Sequence, residues 1–355
     1  MKGSVIALGH WQGRKAAARL VDGVLDDLIV DPPDETPRPG AIYKAIAGRA
    51  MKGQGGAFVT LPSGARGFLR AAKGSGGAAQ AGRARLVQVV SYAEPAKAAP
   101  MTDRILFKGR YAIVTPGSPG INVSRQIKDD DRADALRALA HEYAGAAAGI
   151  ILRSRAGEAD DTLVADEIAA LAEAATQLMA DEGSAASLLL AGPDAHELAW
   201  REWPDADLVD DSADAFEAHG VFDAIDAVLS PGVPLGGGAH AFIEPTRALV
   251  AVDVNTGGDT SAAAGLKANI ALCRALPRGL RCRGLGGQIT VDFAPMPKRD
   301  RRQVEGALRA AFRSDPVETA LVGWTPLGHF ELQRKRERAP LKWLLSDAPA
   351  AGKKT

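Results

Sequence analysis

Cysteine is nearly missing: this chain of 355 residues holds two, Cys273 and Cys282. Two isolated thiols build neither a disulfide framework nor a four-ligand zinc site, which leaves them as buried or free thiols. Long apolar runs are missing too. The start, MKGSVIALGHWQGRK, lacks the apolar middle of a signal peptide, and no stretch reads as a membrane span. The expectation is a cytoplasmic protein with no membrane partner. Net charge is also missing, Lys+Arg and Asp+Glu standing at 43 each. What the chain does have is 46% hydrophobic residues, enough for two or three domains with cores of their own.

The charge balance conceals a segregation. Residues 40–110 carry twelve basic and two acidic side chains, residues 129–226 five basic and 24 acidic, and residues 267–355 eighteen basic and eight acidic. Two basic blocks flanking an acidic one suit a polyanion held by the outer blocks; solubility patterning is the alternative.

The first basic block reads as short strands broken by glycine: AIYKAIAGRAM, GGAFVTLP, ARGFLRAAK, RARLVQVVSY and GRYAIVTP. Five such strands suit a small closed barrel of the OB type. Phe58 and Phe68 fall in consecutive strands among Lys52, Arg66, Arg70 and Lys97. A strand aromatic is more often core than surface, but interleaved cations make stacking on unpaired bases the competing reading. Lys73 to Arg85 reads as a flexible loop within the barrel.

In the acidic block, ADALRALAHEYA and ADEIAALAEAATQLMADEG repeat apolar residues every three or four positions, as amphipathic helices packed on a sheet do. ASLLLAG reads as a buried strand. His141 and His219 have no carboxylate or cysteine at ligand spacing and read as solvated or structural.

The stretch AVDVNTGGDT sets Asp253 and Asn255 on one face of an apolar strand, with Val252 and Val254 on the other. Gly257 and Gly258 follow, where the backbone can turn sharply and approach an anion. SAAAGLKANIALCRAL then reads as a helix over Ser261–Leu276, and GGQITVDF as a second strand ending near Asp292. A strand–helix–strand crossover lays its strands parallel and adjacent, so Asp253 and Asp292 should project side by side. Two carboxylates without His or Cys suit Mg²⁺ rather than zinc, and such an ion can activate water against a phosphodiester. A turn or cap role is the alternative for either Asp alone.

These segments resemble the bacterial ribonuclease E/G endoribonucleases. GAIYKAIAGRAMKGQGGAFVTLPSGARGFL is similar to that family's entry into an S1-type RNA-binding barrel, and GRYAIVTPGSPGINVSRQI to the exit. FDAIDAVLSPGVPLGGGAHAFIEPTRALVAVDVNTGG and GLGGQITVDFAPM resemble the two catalytic strands with their flanking segments. The resemblance implies an α/β (α+β) chain: an RNase H-like domain begun by residues 1–39, an inserted S1-type OB barrel over 40–115, a shortened RNase H-like and 5′-sensor region over 116–225, a DNase I-like catalytic region over 226–345, and a flexible tail over 346–355. It implies Mg²⁺, with Mn²⁺ as an alternative, held by Asp253 and Asp292, and Asn255 orienting the site. It implies single-stranded RNA as partner, in ribosomal, messenger or transfer RNA precursors, cut to leave 5′-phosphate and 3′-hydroxyl ends. The RNA-binding candidates are Phe58, Phe68, Arg66 and Lys97.

The departures set further expectations. The CPxC motif of zinc-linked members does not follow HFELQRKRERAP, so no zinc and no zinc-linked tetramer is expected, but a monomer or a different dimer. Arg153 and Ser154 match residues that grip a 5′-monophosphate, whereas the second sensor arginine falls on Glu318, which disfavours sensing. Pro295 stands where relatives often carry a further Asp. A catalytically weakened RNA-binding protein of the same fold is the alternative function, and a DNA-processing enzyme a third.

Overall fold

The computed structural model describes residues 3–51, 55–70, 81–94, 97–143, 148–181, 183–261 and 263–345. Lys52, residues 73–80 of the glycine-rich loop and the tail 346–355 lie outside the described residues. Two compact units form, Met1–Pro33 with Pro204–Ala348 and Asp34–Trp203. This partition joins the first strands to the C-terminal half and leaves one continuous insert between them.

The first unit opens with a meander of β1 (Ser4–Trp11), β2 (Arg14–Val21) and β3 (Val24–Val30). Its turns, Gln12-Gly13 and Asp22-Gly23, hold both central residues at positive φ, the twist that matches two-residue hairpins.

In the second unit, β4 (Ile42–Met51), β5 (Gly56–Thr60), β6 (Arg66–Arg70), β7 (Ala84–Val89) and β8 (Ala99–Thr102) pair in the cycle β4-β5-β6-β8-β7-β4, a closed five-stranded barrel. Its interior is Ala45, Val59, Leu61, Leu69, Val87, Val89 and Met101. Four strands were predicted in place, and the fifth was not. GRYAIVTP forms instead β10 (Ala112–Pro116), in a separate sheet ordered β11-β12-β10-β9 with β9 (Phe107–Lys108), β11 (Gly120–Val123) and β12 (Ala148–Leu152). The barrel is closed by APMT, whose Pro100 lacks an N–H and weakens the strand signal.

The buried alternation of β10 and β12 packs under α1 (Asp130–Tyr143) and α2 (Asp161–Met179), both at the predicted helices; Ala112, Ile150, Leu152, Leu136, Val164 and Ile168 make that core. β13 (Ser187–Leu190) forms as expected but as a strand beside β4 with Leu188 and Leu190 exposed, not buried. α3 (Ala195–Glu202) ends the unit, started by an Asp194–Glu197 capping box.

The chain then returns to the first unit. β14 (Leu208–Asp210) lies parallel to β1, completing the sheet β14-β1-β2-β3. α4 (Ala215–Ala218) and α5 (Val221–Leu229) lead to a six-stranded sheet ordered β15-β16-β17-β18-β20-β19. Its strands are β15 (Gly232–Gly236), β16 (Ala239–Pro245), β17 (Val250–Asn255), β18 (Gly287–Asp292), β19 (Thr319–Trp324) and β20 (Phe330–Arg334). α6 (Ala264–Cys282) joins β17 to β18, and α7 (Arg301–Arg313) precedes β19. α6 runs past the predicted stop at Leu276 and through Pro277. Leu272, Leu276 and Leu280 are fully buried along one stripe, and that burial, about 1.5–3 kcal/mol per leucine, offsets a lost helical hydrogen bond.

A buried ion network ties this unit together. Asp315, with its side chain out of contact with water, accepts from Arg281 at 2.6 Å and from Arg334 at 3.0 Å. Arg281 also reaches Asp26 at 2.9 Å, and Arg338 donates to both oxygens of Asp27. Three arginines so paired satisfy the carboxylates within β3 and after α7.

Candidate active site and nucleic-acid interface

On β17 and β18 burial alternates, with Val252, Val254, Ile289 and Val291 in the core and Asp253, Asn255 and Asp292 on the open face. The strands are parallel, and Asp253 is the register partner of Asp292, as predicted from the crossover. The Asn255 amide donates to Oδ2 of Asp253 at 2.8 Å and fixes that carboxylate. Beyond Asn255 the chain turns at Gly257 (φ 63°). A Cβ there would meet the Gly238 carbonyl oxygen at 2.3 Å, so only glycine lets this loop lie against the tip of the β15–β16 hairpin.

Two histidines with their neighbours escaped the sequence reading. His329 Nε2 stands 3.8 Å from Oδ1 of Asp292. The His329 backbone is tied to Thr325, whose N–H donates to the His329 carbonyl at 2.8 Å and whose hydroxyl accepts from the His329 N–H at 3.1 Å. Trp324, just before that turn, lies 5.6 Å from Phe293 and 5.2 Å from Phe330, with Arg301 over its ring at 4.5 Å. On the other flank His240 and Phe242 are the register partners of Asn255 and Asp253. Only strand register brings these side chains to the carboxylates, and spacing along the chain carries no trace of it. His141 is exposed at the end of α1, and His219 is held by Asp210 at 2.8 Å, both outside this site.

The donor set is all oxygen and exposed. No cluster of three or more His, Cys, Asp or Glu suited to a metal occurs among the described residues. Two carboxylates are what Mg²⁺ commonly takes from a protein, retaining waters and adding substrate phosphate, so the residues fit that ion. Both cysteines are buried, and burial pushes each thiol up to about 12.

On the barrel, Phe58 and Phe68 are opposite one another on β5 and β6, half-buried and outside its core. Their rings meet edge to face at 5.3 Å, and the Arg66 guanidinium lies 4.0 Å over Phe58. Gly56 leaves room for Phe68, whose ring would lie 2.7 Å from a Cβ there. Lys97 is exposed and pairs with Glu94 at 2.7 Å, just before the strand whose Pro100 faces Phe68. Arg70 is exposed at the end of β6.

Arg153 and Ser154 follow β12, Ser154 exposed at the start of a short 3₁₀ turn. Arg153 is already paired: its Nη2 donates to Oε2 of Glu202 at 2.6 Å and its Nη1 to the Gly109 carbonyl at 2.5 Å. Lys108 and Arg201 reach the other Glu202 oxygen, each at 2.8 Å, and Arg155 donates to the Glu202 carbonyl. Burial would raise the Glu202 carboxyl, but Lys108, Arg153 and Arg201 outweigh it and hold it at about 2. Lys108 moves down, because burial and the two arginines beside it exceed the pull of one shared carboxylate. Glu318, exposed before β19, belongs to the other unit.

No helix among the described residues is long and apolar enough to cross a membrane. The chain is 30% identical to Ribonuclease E of Nostoc sp. (strain PCC 7120), over 75% of this chain and 45% of that protein, so it spans less than half of that relative. It is 26% identical to Ribonuclease G of Salmonella typhimurium and 27% to Ribonuclease G of Escherichia coli (strain K12), in both cases over 92% of this chain and 79% of the relative. The sequence profile of the Ribonuclease E/G family matches residues 107–209 and 195–337, a span that takes in the Glu202 cluster and both site strands. The chain belongs to the Ribonuclease E/G family.

Proposed function

We propose that this protein is an endoribonuclease that cuts single-stranded RNA during processing or decay of ribosomal, messenger or transfer RNA precursors. The observation that carries the reading is the register pairing of Asp253 with Asp292 on one open sheet face, with Asn255 fixing the first carboxylate. Asp253 and Asp292 would hold Mg²⁺, or Mn²⁺ in its place. When bound, that ion supplies a polarised water and charge neutralisation at phosphorus. Asn255 keeps Asp253 in one orientation through its amide hydrogen bond. Water oxygen bonds to phosphorus, the P–O3′ bond breaks and the departing oxygen takes a proton, giving 5′-phosphate and 3′-hydroxyl ends. Phe58, Phe68 and Arg66 hold unpaired bases on the barrel, and Lys97 adds a cation near the same strands. The sheet β14-β1-β2-β3 supports an RNase H-like assignment for its part of the chain, the closed barrel an S1 type, and the β15–β20 sheet a DNase I-like one. The assembly is a monomer or a dimer that uses no zinc.

A second reading is RNA binding with weakened turnover. It draws support from a donor set of two carboxylates, with Pro295 where relatives often carry a third, and from a sensor arginine occupied by Glu202. One experiment separates the readings: purified protein with 5′-labelled single-stranded RNA in Mg²⁺, Mn²⁺ and EDTA, with the product ends mapped. Cleavage in metal but not EDTA supports the nuclease; binding without cleavage in any metal overturns it.

A further inference from the structure

The hairpin of β15 and β16 sets two aromatic rings beside the carboxylates. His240 faces Asn255 and Phe242 faces Asp253 across the antiparallel pair, and directly opposed residues project from the same side of a sheet. The rings meet at 5.3 Å with planes 84° apart, and both are half-buried. The core under this strand takes the alternate residues Ala241 and Ile243, and Phe242 is neither in that core nor packed against it. An open sheet face ordinarily carries polar side chains. Here the outward positions nearest the carboxylates are aromatic, while the next one along, Glu244, is charged and exposed. A perpendicular pair offers a flat ring face with an edge beside it, which suits a planar group with polar edges better than an aliphatic one.

We infer that His240 and Phe242 form a stacking shelf for one nucleobase of the RNA strand whose phosphodiester lies at Asp253 and Asp292. The inference rests on the nuclease reading for that phosphodiester. Every base has a π face but only an unpaired base can present it, so a shelf one register step from the carboxylates selects single strands at the point of cutting, separately from the barrel. His240 is steadied by its Nδ1 contact with the Gly238 carbonyl at 3.4 Å, so the ring is held by the same hairpin tip that meets Gly257.

The test uses the whole chain and a single-stranded RNA with 2-aminopurine walked through successive positions, its fluorescence being quenched on stacking. In EDTA, one position should lose fluorescence on binding; Phe242→Leu should restore it and Phe242→Trp retain it. Leucine fills the same apolar space, and a melting curve checks that the fold is kept. In Mg²⁺, Phe242→Leu and His240→Ala should lower kcat/KM by about ten- to a hundredfold. An abasic residue at the quenched position should cost the unmodified protein the same factor and cost Phe242→Leu nothing more. Quenching at no position, or quenching and cleavage unchanged in Phe242→Leu, overturns the shelf. Quenching that depends on Phe242 in a chain that cleaves nothing supports the shelf and overturns the nuclease reading instead.

Discussion

Arg153 Nη2 donates to Glu202 Oε2 at 2.6 Å, so the arginine matched to 5′-phosphate recognition already holds a carboxylate of its own chain. A phosphate arriving there competes with an internal anion that is also bound by Lys108 and Arg201. We expect 5′-monophosphorylated RNA to be cut less than tenfold faster than 5′-hydroxyl RNA, less than about 1.4 kcal/mol supplies. Glu202→Gln should widen the ratio by leaving Arg153 without a full counter-charge. Matched oligonucleotides differing only at the 5′ end measure both, and a wide ratio in the unmodified protein would show that the carboxylate is readily displaced.

The same carboxylate makes stability depend on acid. Its pKa in the folded protein, about 2, lies below its ordinary 4.5, so the stabilisation is complete above pH 4.5 and is lost as pH falls towards 2. The shift corresponds to roughly 3 kcal/mol at most. Urea melts of the native chain and of Glu202→Gln should converge between pH 4.5 and 2. Parallel curves over that window would remove Glu202 as the cause.

Asp253→Asn and Asp292→Asn should each abolish Mg²⁺-dependent cleavage and leave RNA affinity largely intact, because an amide keeps the shape and loses the charge that holds a cation. Gel-shift affinity beside a cleavage time course measures the split. Undiminished cleavage in both variants is incompatible with the assigned metal site.

Phe58→Ala and Phe68→Ala should each weaken single-stranded RNA binding by ~1–3 kcal/mol. Since both rings lie outside the barrel core, the melting temperature should move little. A large fall in melting temperature with affinity kept would instead mark them as structural.

Asp315→Asn should destabilise its unit by about 3–5 kcal/mol, because Arg281 and Arg334 lose their shared buried counter-charge. Denaturant unfolding checks this, and a change below ~1 kcal/mol would mean that water or another carboxylate takes over.

Asp253, Asn255 and Asp292 were legible because a strand's period of two exposes a polar residue set into an apolar run, and a crossover helix fixes which strands are neighbours. His240, Phe242 and His329 were not, since their place beside those residues depends on antiparallel register and on a turn at Thr325. The barrel showed in its glycine-broken strands, yet its closing strand hid behind Pro100. Glu202 lies far along the chain from Lys108 and Arg153, and only the folded unit joins them.

The partition of the chain orders events during synthesis. Val5, Ile6 and Ala7 of β1 pair with Leu208, Val209 and Asp210, and the whole of residues 34–203 is made between them. At about 5–20 residues per second the partner strand follows by roughly ten to forty seconds, long enough for the inserted unit to complete its barrel first. Until then one edge of β1 waits open on the ribosome, exposed to wrong pairing. The sheet that carries Asp253 and Asp292 is therefore the last part of the described chain to be assembled, so a nascent chain stalled before β18 carries the barrel and no paired carboxylates.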